Sequence, residues 1–530
     1  MSSLVLRHAR LAGRVDPANV VVADGRIVAV CDDIDLRDLR PDGAQVVDLA
    51  GRFVTPGLTD SHIHPVLALG LTDGIDLSGC TTLDDVRRAL AAAADSTDGW
   101  LVGWGLDPNC FGELPVDNRP LAAVVGDRPM FLRLFDGHSA VVSDEALRRA
   151  GIAGPREFAS HAEIVCDAAG QPTGFLLEEA AMAPVQAVLP QRSFVERRER
   201  LRRVLASMAA VGLTGGHVMD CDGDSLELYT SLDDADELPL RLRIAPWRRP
   251  EDDDRRVAEL LDLQRRRGRL WQVAGVKLFM DGTIDNGTAW LAEPDCHGES
   301  TRPYWADPQA YTRAVHELAA NGVQTATHAI GDAAVGHVLA TMATLPAGAR
   351  RGHRIEHIET LPDNLVAEFA RHDVTASMQP THATDYTRGD HSDNWSRRLG
   401  TERASRAWRC GDLLRSGARL SLGSDWPIAP FDPRPIMAAA QLRRPWDRPE
   451  LPPVGAAQAL TAAQALAGYT EAPAQVAGAT DLGRVAEGFR ADLTVWADDP
   501  LRQPADQLPH LPIEMTLVDG RVTYRAEALS

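Results

Sequence analysis

Thr55-Pro56-Gly57-Leu58-Thr59-Asp60-Ser61-His62-Ile63-His64-Pro65 is a turn followed by a short strand that ends on two histidines and a proline. Residues two apart on a strand face the same side, so His62 and His64 can both point at one ion. On its own, such a pair fits a hydrogen-bonded core or loop as well. What decides the reading is the rest of the chain. Downstream, apolar runs of strand length end on or beside polar residues at Leu134-Phe135-Asp136, Gly215-Gly216-His217, Val276-Lys277-Leu278, Ala326-Thr327-His328, Ile355-Glu356-His357, Ala376-Ser377-Met378-Gln379 and Leu422-Gly423-Ser424-Asp425. Together with the first they make eight candidate strands, separated by Ala-, Leu- and Arg-rich helical stretches such as residues 83–94, 197–210, 254–267 and 308–321. Alternation of this kind builds a parallel sheet. The predicted fold class is α/β, a distorted (β/α)8 TIM barrel with its active site where the strands end.

The two ends of the chain carry a different pattern. Leu4-Val5-Leu6, Val20-Val21-Val22 and Arg26-Ile27-Val28-Ala29-Val30 are short strands between Gly and Asp turns, and Ala491-Asp492-Leu493-Thr494-Val495-Trp496 and Met515-Thr516-Leu517-Val518 match them at the other end. The expected organisation is a small discontinuous β domain from residues 1–54 and 480–530, and a barrel over residues 55–479. At about 150 residues per domain, 530 residues suggest several cores; one elaborated barrel with a minor domain fits equally. The long connections around 61–130 and 139–200 are expected to be lid or pocket insertions.

Composition narrows the partners. Hydrophobic residues at 44% and charged residues at 25% are the mixture of a globular protein. A formal charge of -20 repels phosphate backbones and anionic lipid, so neither nucleic acid nor membrane is an expected partner. The seven cysteines lie far apart without a CxxC pair, which argues against a disulfide framework or a thiolate zinc site. No apolar run approaches the roughly 18–20 residues of a membrane span. The first 13 residues, broken by Arg7 and Arg10, lack a signal-peptide core, and a cytoplasmic location is expected.

Of the 55 basic residues only Lys277 is a lysine. Arginine supplies charge but cannot become a neutral amine nucleophile. Lys277 is therefore either a chance survivor or a group that does amine chemistry, as a Schiff base or as a carbamate that bridges metals. It closes the fourth candidate strand, His328 the fifth, His357 the sixth and Asp425 the eighth, so that with His62 and His64 they converge on one barrel mouth. Neutral imidazoles and anionic oxygens suit one or two divalent ions, zinc first, with iron, manganese or nickel as alternatives. A carboxylated Lys277 would bridge two ions and favour hydroxide near neutral pH. Asp425 would then hold the water and carry its proton to a departing amine.

The order HxH, Lys, His, His, Asp along the strands resembles the amidohydrolase superfamily. More narrowly, Asp136-Gly137-His138-Ser139-Ala140, Gly275-Val276-Lys277-Leu278-Phe279-Met280-Asp281-Gly282, His328-Ala329-Ile330-Gly331-Asp332, Ser377-Met378-Gln379-Pro380-Thr381-His382 and Gly423-Ser424-Asp425-Trp426-Pro427 resemble the branch of N-substituted formamide deformylase and the YtcJ-like hydrolases, amidohydrolase family 3. The resemblance spans nearly the whole chain, and the ends are similar to that family's small β-sandwich. It implies metal ligation by His62, His64, His328 and His357, a modified Lys277 (N6-carboxylysine) shared between ions, and Asp425 as ligand and acid/base. The stretch Asp285-Asn286-Gly287 departs from the commoner family form.

Further candidates for substrate contact are Asp136 and His138 after the second strand, His217 at the end of the third, Gln379 and His382 after the seventh, and Trp104 and Glu178 on the insertions. Each also has a plain structural reading as a turn, a buried histidine or a packed loop. Arg354 and Glu356 flank His357 and are expected to orient an imidazole. The expected activity is hydrolysis of a non-peptide C–N bond in a small molecule, an N-substituted amide or formamide, by metal-activated hydroxide. The rivals are a cyclic amide, carbamate or ester on the same site, Schiff-base chemistry at Lys277, and a catalytically silent regulatory protein. Barrels of this kind often pair, so a homodimer is compatible with the sequence.

Overall fold

The computed structural model describes residues 3–39, 41–94, 99–135, 137–158, 162–190 and 192–529. It is an α/β structure with a TIM-barrel-like arrangement of parallel strands. Leu58–Ile63 (β1), Leu213–Val218 (β2), Arg241–Ile244 (β3) and Trp271–Val273 form one parallel sheet, and Val276–Phe279, Thr325–Ala329 (β5), Arg354–His357 (β6), Thr375–Met378 (β7) and Leu420–Leu422 (β8) form another. Trp271–Val273 and Val276–Phe279 are one strand interrupted at Ala274-Gly275 (β4), and a bridge between Trp247 and Lys277 ties the two sheets there. At the other seam Ile63 bridges Trp426, and the Asp425 amide donates to the His62 carbonyl at 2.8 Å.

The pleat separates two chemistries. Leu242, Ile244, Val276, Leu278, Ile355, Met378 and Leu422 face the helices and join the main hydrophobic core. Fully burying such a side chain contributes about 1.5–3 kcal/mol. The opposite positions face inward and are polar: His62, His217, Arg243, Lys277, Arg354 and Glu356, all buried. Barrel interiors are usually packed with branched apolar residues, so this interior is held by hydrogen bonds and charge instead.

Two corrections to the strand reading follow. The run ending at Leu134 is a real strand, Met130–Leu134, but it belongs to a separate six-stranded sheet with Ile75–Asp76, Leu101–Leu106, Ser139–Val142, Pro172–Leu177 and Glu163–Cys166. The strand between β2 and β4 is instead Arg241–Ile244, whose alternating arginines disguise it as a polar loop. The six-stranded sheet is the insertion expected around 61–130 and 139–200, and it has its own two apolar clusters.

Strands from the two ends of the chain share an eight-stranded sheet. Leu4–Leu11 pairs in parallel with Phe53–Pro56, which pairs antiparallel with Leu493–Trp496, and that strand with Ile513–Val518. Alternate residues, Leu4, Leu6, Val20, Val22, Leu493, Val495 and Leu517 among them, fill one cluster on it. No helix among the described residues is long and apolar enough to cross a membrane. All seven cysteines are free thiols.

Candidate active site

The ends of β1, β4, β5, β6 and β8 open into a recess of about 690 Å3 lined by His62, His64, Lys277, His328, His357 and Asp425. Local backbone explains how these side chains reach it. Strict alternation would send His357 outward beside Ile355, but it adopts φ 75° and turns into the recess. Asp425 does the same with φ 61° just past β8. Non-glycine residues in this region carry strain and are held only where the surroundings enforce it. Gly423 enables the approach of β8 to β1, since a Cβ there would lie 2.7 Å from the His62 nitrogen and the Asp60 carboxylate. Asp60 clamps that junction by accepting from the amides of His62 and Ser424, both at 3.0 Å.

The cluster is tight. His62 Nε2 lies 3.2 Å from His64 Nε2, and Asp425 Oδ1 lies 3.3 Å and 3.2 Å from these two nitrogens. Ligand atoms of His62, His357 and Asp425 all fall within 4.8 Å of one another, so these three can hold one metal ion. Lys277 Nζ is 3.4 Å from His62 Nε2 and sits 5.1 Å from the centre of the Phe279 ring.

Three of the four imidazoles have their second nitrogen hydrogen-bonded. His62 Nδ1 meets Glu356 at 2.7 Å, His328 Nε2 meets the Gly282 carbonyl at 3.0 Å, and His357 Nδ1 meets Gln379 Oε1 at 3.0 Å. His64 Nδ1 lies 3.8 Å from Asp220, beyond a hydrogen bond but close enough to orient the ring. Metal-binding histidines have this construction, with one nitrogen fixed by an acceptor and the other aimed at the ion. Imidazole nitrogens gathered around one carboxylate are a donor set that fits a divalent cation.

Electrostatics agrees for three of the four imidazoles; at His64 burial is outweighed by the Asp220 and Asp425 carboxylates, which raise it. Burial, with Lys277 beside it, lowers His62 to about 4. Burial and then His138 lower His328, and burial and then His328 lower His357, well below the usual imidazole range. These rings are neutral, the form that ligates. Burial opposes ionisation of Asp425, but His62 and the hydrogen bond from His64 outweigh it and hold the carboxyl well below its ordinary value. Burial lowers Lys277 to about 8, which leaves a useful fraction as free amine near neutrality.

Arg354 and Glu356 do orient an imidazole, but it is His62 and not their neighbour His357. Arg354 donates to Glu356, to the Ser61 carbonyl and to Ser377, and Glu356 passes this anchoring to His62. Replacing Glu356 by glutamine is expected to weaken metal binding about 10–100-fold. Equilibrium dialysis against a metal buffer measures it, and an unchanged affinity would show that His62 needs no such anchor.

The remaining candidates divide. His138 and Glu178 follow directly from the paired strands Ser139–Val142 and Pro172–Leu177, where Ser139 opposes Leu177. That register sets His138 Nδ1 2.8 Å from Glu178 Oε2, and both line the recess. Glu178 holds φ 68°, and only a glycine at 282 leaves room for it, since a Cβ there would lie 2.2 Å from Glu178 Oε1. His382 stacks on His357 at 9° and lies 3.9 Å from Asp425 Oδ2 in an adjoining lobe. Thr283 and Asp285 of the unusual 281–289 segment line that lobe with Phe135, Trp395 and Trp408. Gln379 acts through His357.

Two candidates are not brought to the recess, and a third cannot be placed. His217 lies within β2, not at its end; its Nδ1 takes a hydrogen bond from Arg354 at 2.8 Å, and it lines a cavity at the other end of the strands. Trp104 is in Leu101–Leu106 of the inserted sheet and lines neither lobe. Asp136 falls outside the described residues.

Sequence reasoning missed Asp220 and Asp281. Asp220 is two residues beyond β2 and approaches His64; counting the strand to Val218 would have found it. Asp281 is fully buried and accepts from the amides of Ile330, Gly331 and Trp290 at 3.0, 2.8 and 2.9 Å, fixing the chain just after His328.

Comparison with known proteins adds an independent line. The family model described as "Amidohydrolase family" matches residues 45–524. The Bacillus subtilis (strain 168) protein YtcJ, which carries the name of an amidohydrolase, is 29% identical over 492 residues, covering 90% of each chain. The N-substituted formamide deformylase of Arthrobacter pascens is 26% identical over 532 residues, covering 95% of this chain and 94% of its own. An uncharacterised metal-dependent hydrolase from Pyrococcus horikoshii OT3 superposes with a TM-score of 0.73 at 25% identity, over 95% of this chain and 99% of that one.

Proposed function

The chain belongs to the amidohydrolase family, a hydrolase of carbon–nitrogen bonds other than peptide bonds, and from that premise we propose that it cleaves an N-substituted amide or formamide in the recess around His62. The observation that carries this is the convergence there of four histidines, Lys277 and Asp425, each imidazole with its second nitrogen held or approached by an acceptor. The 26% identity to a formamide deformylase along nearly the full chain favours the acyclic amide over the cyclic amide, carbamate or ester.

In this reading His62, His64, His328 and His357 would hold one or two divalent ions, zinc first, and Lys277, as N6-carboxylysine, would be a further ligand. When bound, the metal supplies Lewis acidity to the substrate carbonyl and acidifies water. The side chains do the rest. Asp425 accepts the proton of the attacking water and returns it to the departing nitrogen. His138, its Nδ1–H donating to Glu178, would as an imidazolium donate its Nε2–H to the carbonyl oxygen as negative charge develops there. Phe279, Trp247 and Tyr304 give an apolar wall for the nitrogen substituent. We also read the two parallel sheets as one distorted (β/α)8 barrel over residues 55–479, and the sheet of both ends as a discontinuous β-sandwich from 1–54 and 480–530.

The test is a panel of N-substituted formamides, acyclic amides, cyclic amides, carbamates and esters with zinc-loaded protein, scored by release of amine and acid. Formamide or amide turnover that a chelator abolishes is expected; no turnover on any member overturns the reading. His138→Asn is expected to lower kcat/KM on the best substrate about 10²-fold. Unchanged kinetics would remove His138 from the reaction.

A further inference from the structure

The inner end of the barrel, opposite the recess, holds a second cavity of about 1330 Å3 between the beginnings of β1–β4 and the segment 470–483. The Arg354–Glu356 pair stands between it and the metal-ligand cluster, so it is no part of the substrate recess. Its charged lining is five arginines against Asp481 and Asp492, in a chain of net charge -20. Three of the five are neutralised. Arg241 pairs with Asp492 at 2.7 Å, Arg490 with Asp481 at 3.2 Å, and Arg269 with Asp236 at 3.0 Å.

Arg243 and Arg267 are not. Among the described residues no carboxylate lies within ion-pair distance of either. Arg267 is exposed at the rim. Arg243 is only 8% exposed, inside the barrel on β3. One of its terminal nitrogens donates to Gln324, and its Nε makes no hydrogen bond. Burial and then the Arg354 charge push Arg243 down to about 9, against the opposing pull of the Glu356 carboxylate. A buried cation with an unused donor costs free energy unless something anionic completes it. Guanidinium groups match oxyanions through paired N–H donors, and Arg243 and Arg267 both line this cavity.

We infer that this cavity binds a tetrahedral oxyanion of the sulfate or phosphate type between Arg243 and Arg267.

The probe is inorganic sulfate, titrated calorimetrically into full-length, zinc-loaded protein at low ionic strength with chloride as the matched blank. One saturable site is expected. Arg243→Met should weaken it at least about tenfold, since it removes a charge-assisted donor pair. Arg267→Gln, at an exposed side chain whose loss leaves the fold alone, should weaken it several-fold. Arg148→Gln, which removes one surface charge on the inserted domain, should leave it unchanged. No saturable binding overturns the inference, as does binding that survives both Arg243→Met and Arg267→Gln, because sulfate on the bound metal would be insensitive to them.

Discussion

Replacing Asp425 by asparagine is expected to lower kcat by about 10²–10⁴-fold while metal content stays the same. The two oxygens of this carboxylate have separate surroundings. Oδ1 lies 3.2 Å from His64 Nε2 and 3.3 Å from His62 Nε2, inside the ligand cluster. Oδ2 lies 3.9 Å from His382 Nε2, where the second lobe begins. An asparagine keeps an oxygen for the cluster but cannot accept and return a proton. Elemental analysis alongside steady-state kinetics separates the two roles. Metal retained with kcat collapsed is the expected pair of results; kcat within a few-fold of the parent would take proton transfer away from Asp425.

The second large effect concerns Lys277. Lys277→Ala is expected to lower metal stoichiometry from about two equivalents to one and kcat/KM by well over about 100-fold, more than the loss of an outer partner costs. Propionate added to this variant should restore part of both, since a free carboxylate in the vacated space can take the place of a carbamate. Intact mass of the parent protein, measured without acid, should carry one extra carbon dioxide. If Lys277→Ala keeps its metal and propionate changes nothing, the lysine neighbours the cluster without bridging it. If borohydride instead traps substrate on the parent lysine, Schiff-base chemistry replaces hydrolysis by the metal.

That these residues share one recess was legible in the sequence because most of them sit at or just past a strand end whose local signals are strong. His62 and His64 are fixed by the spacing of a strand, and His328, His357 and Asp425 each follow a short apolar run. What was illegible depends on partners far away in the chain. Met130–Leu134 and Leu213–Val218 both read as strands, yet one pairs inside the insertion and the other with β1. Arg241–Ile244 was lost because a barrel interior built from Arg243, Arg354 and Glu356 lacks the apolar alternation by which strands are found. The His138–Glu178 contact rests on antiparallel register between segments 40 positions apart, which neither segment announces. Asp220 lay three residues past His217, beyond the strand's end at Val218, where strand pattern no longer guides the reading.

The sheet shared by both ends bears on how the chain is made. Thr55 is hydrogen-bonded to Thr494, 439 positions later. A ribosome adding about 5–20 residues per second reaches that partner roughly 20–90 s after the first strand emerges. Throughout that interval Phe53–Pro56 is a finished strand with one edge open, next to an apolar face that is not yet covered. Until Leu493–Trp496 arrives, that edge is open to pairing with other strands.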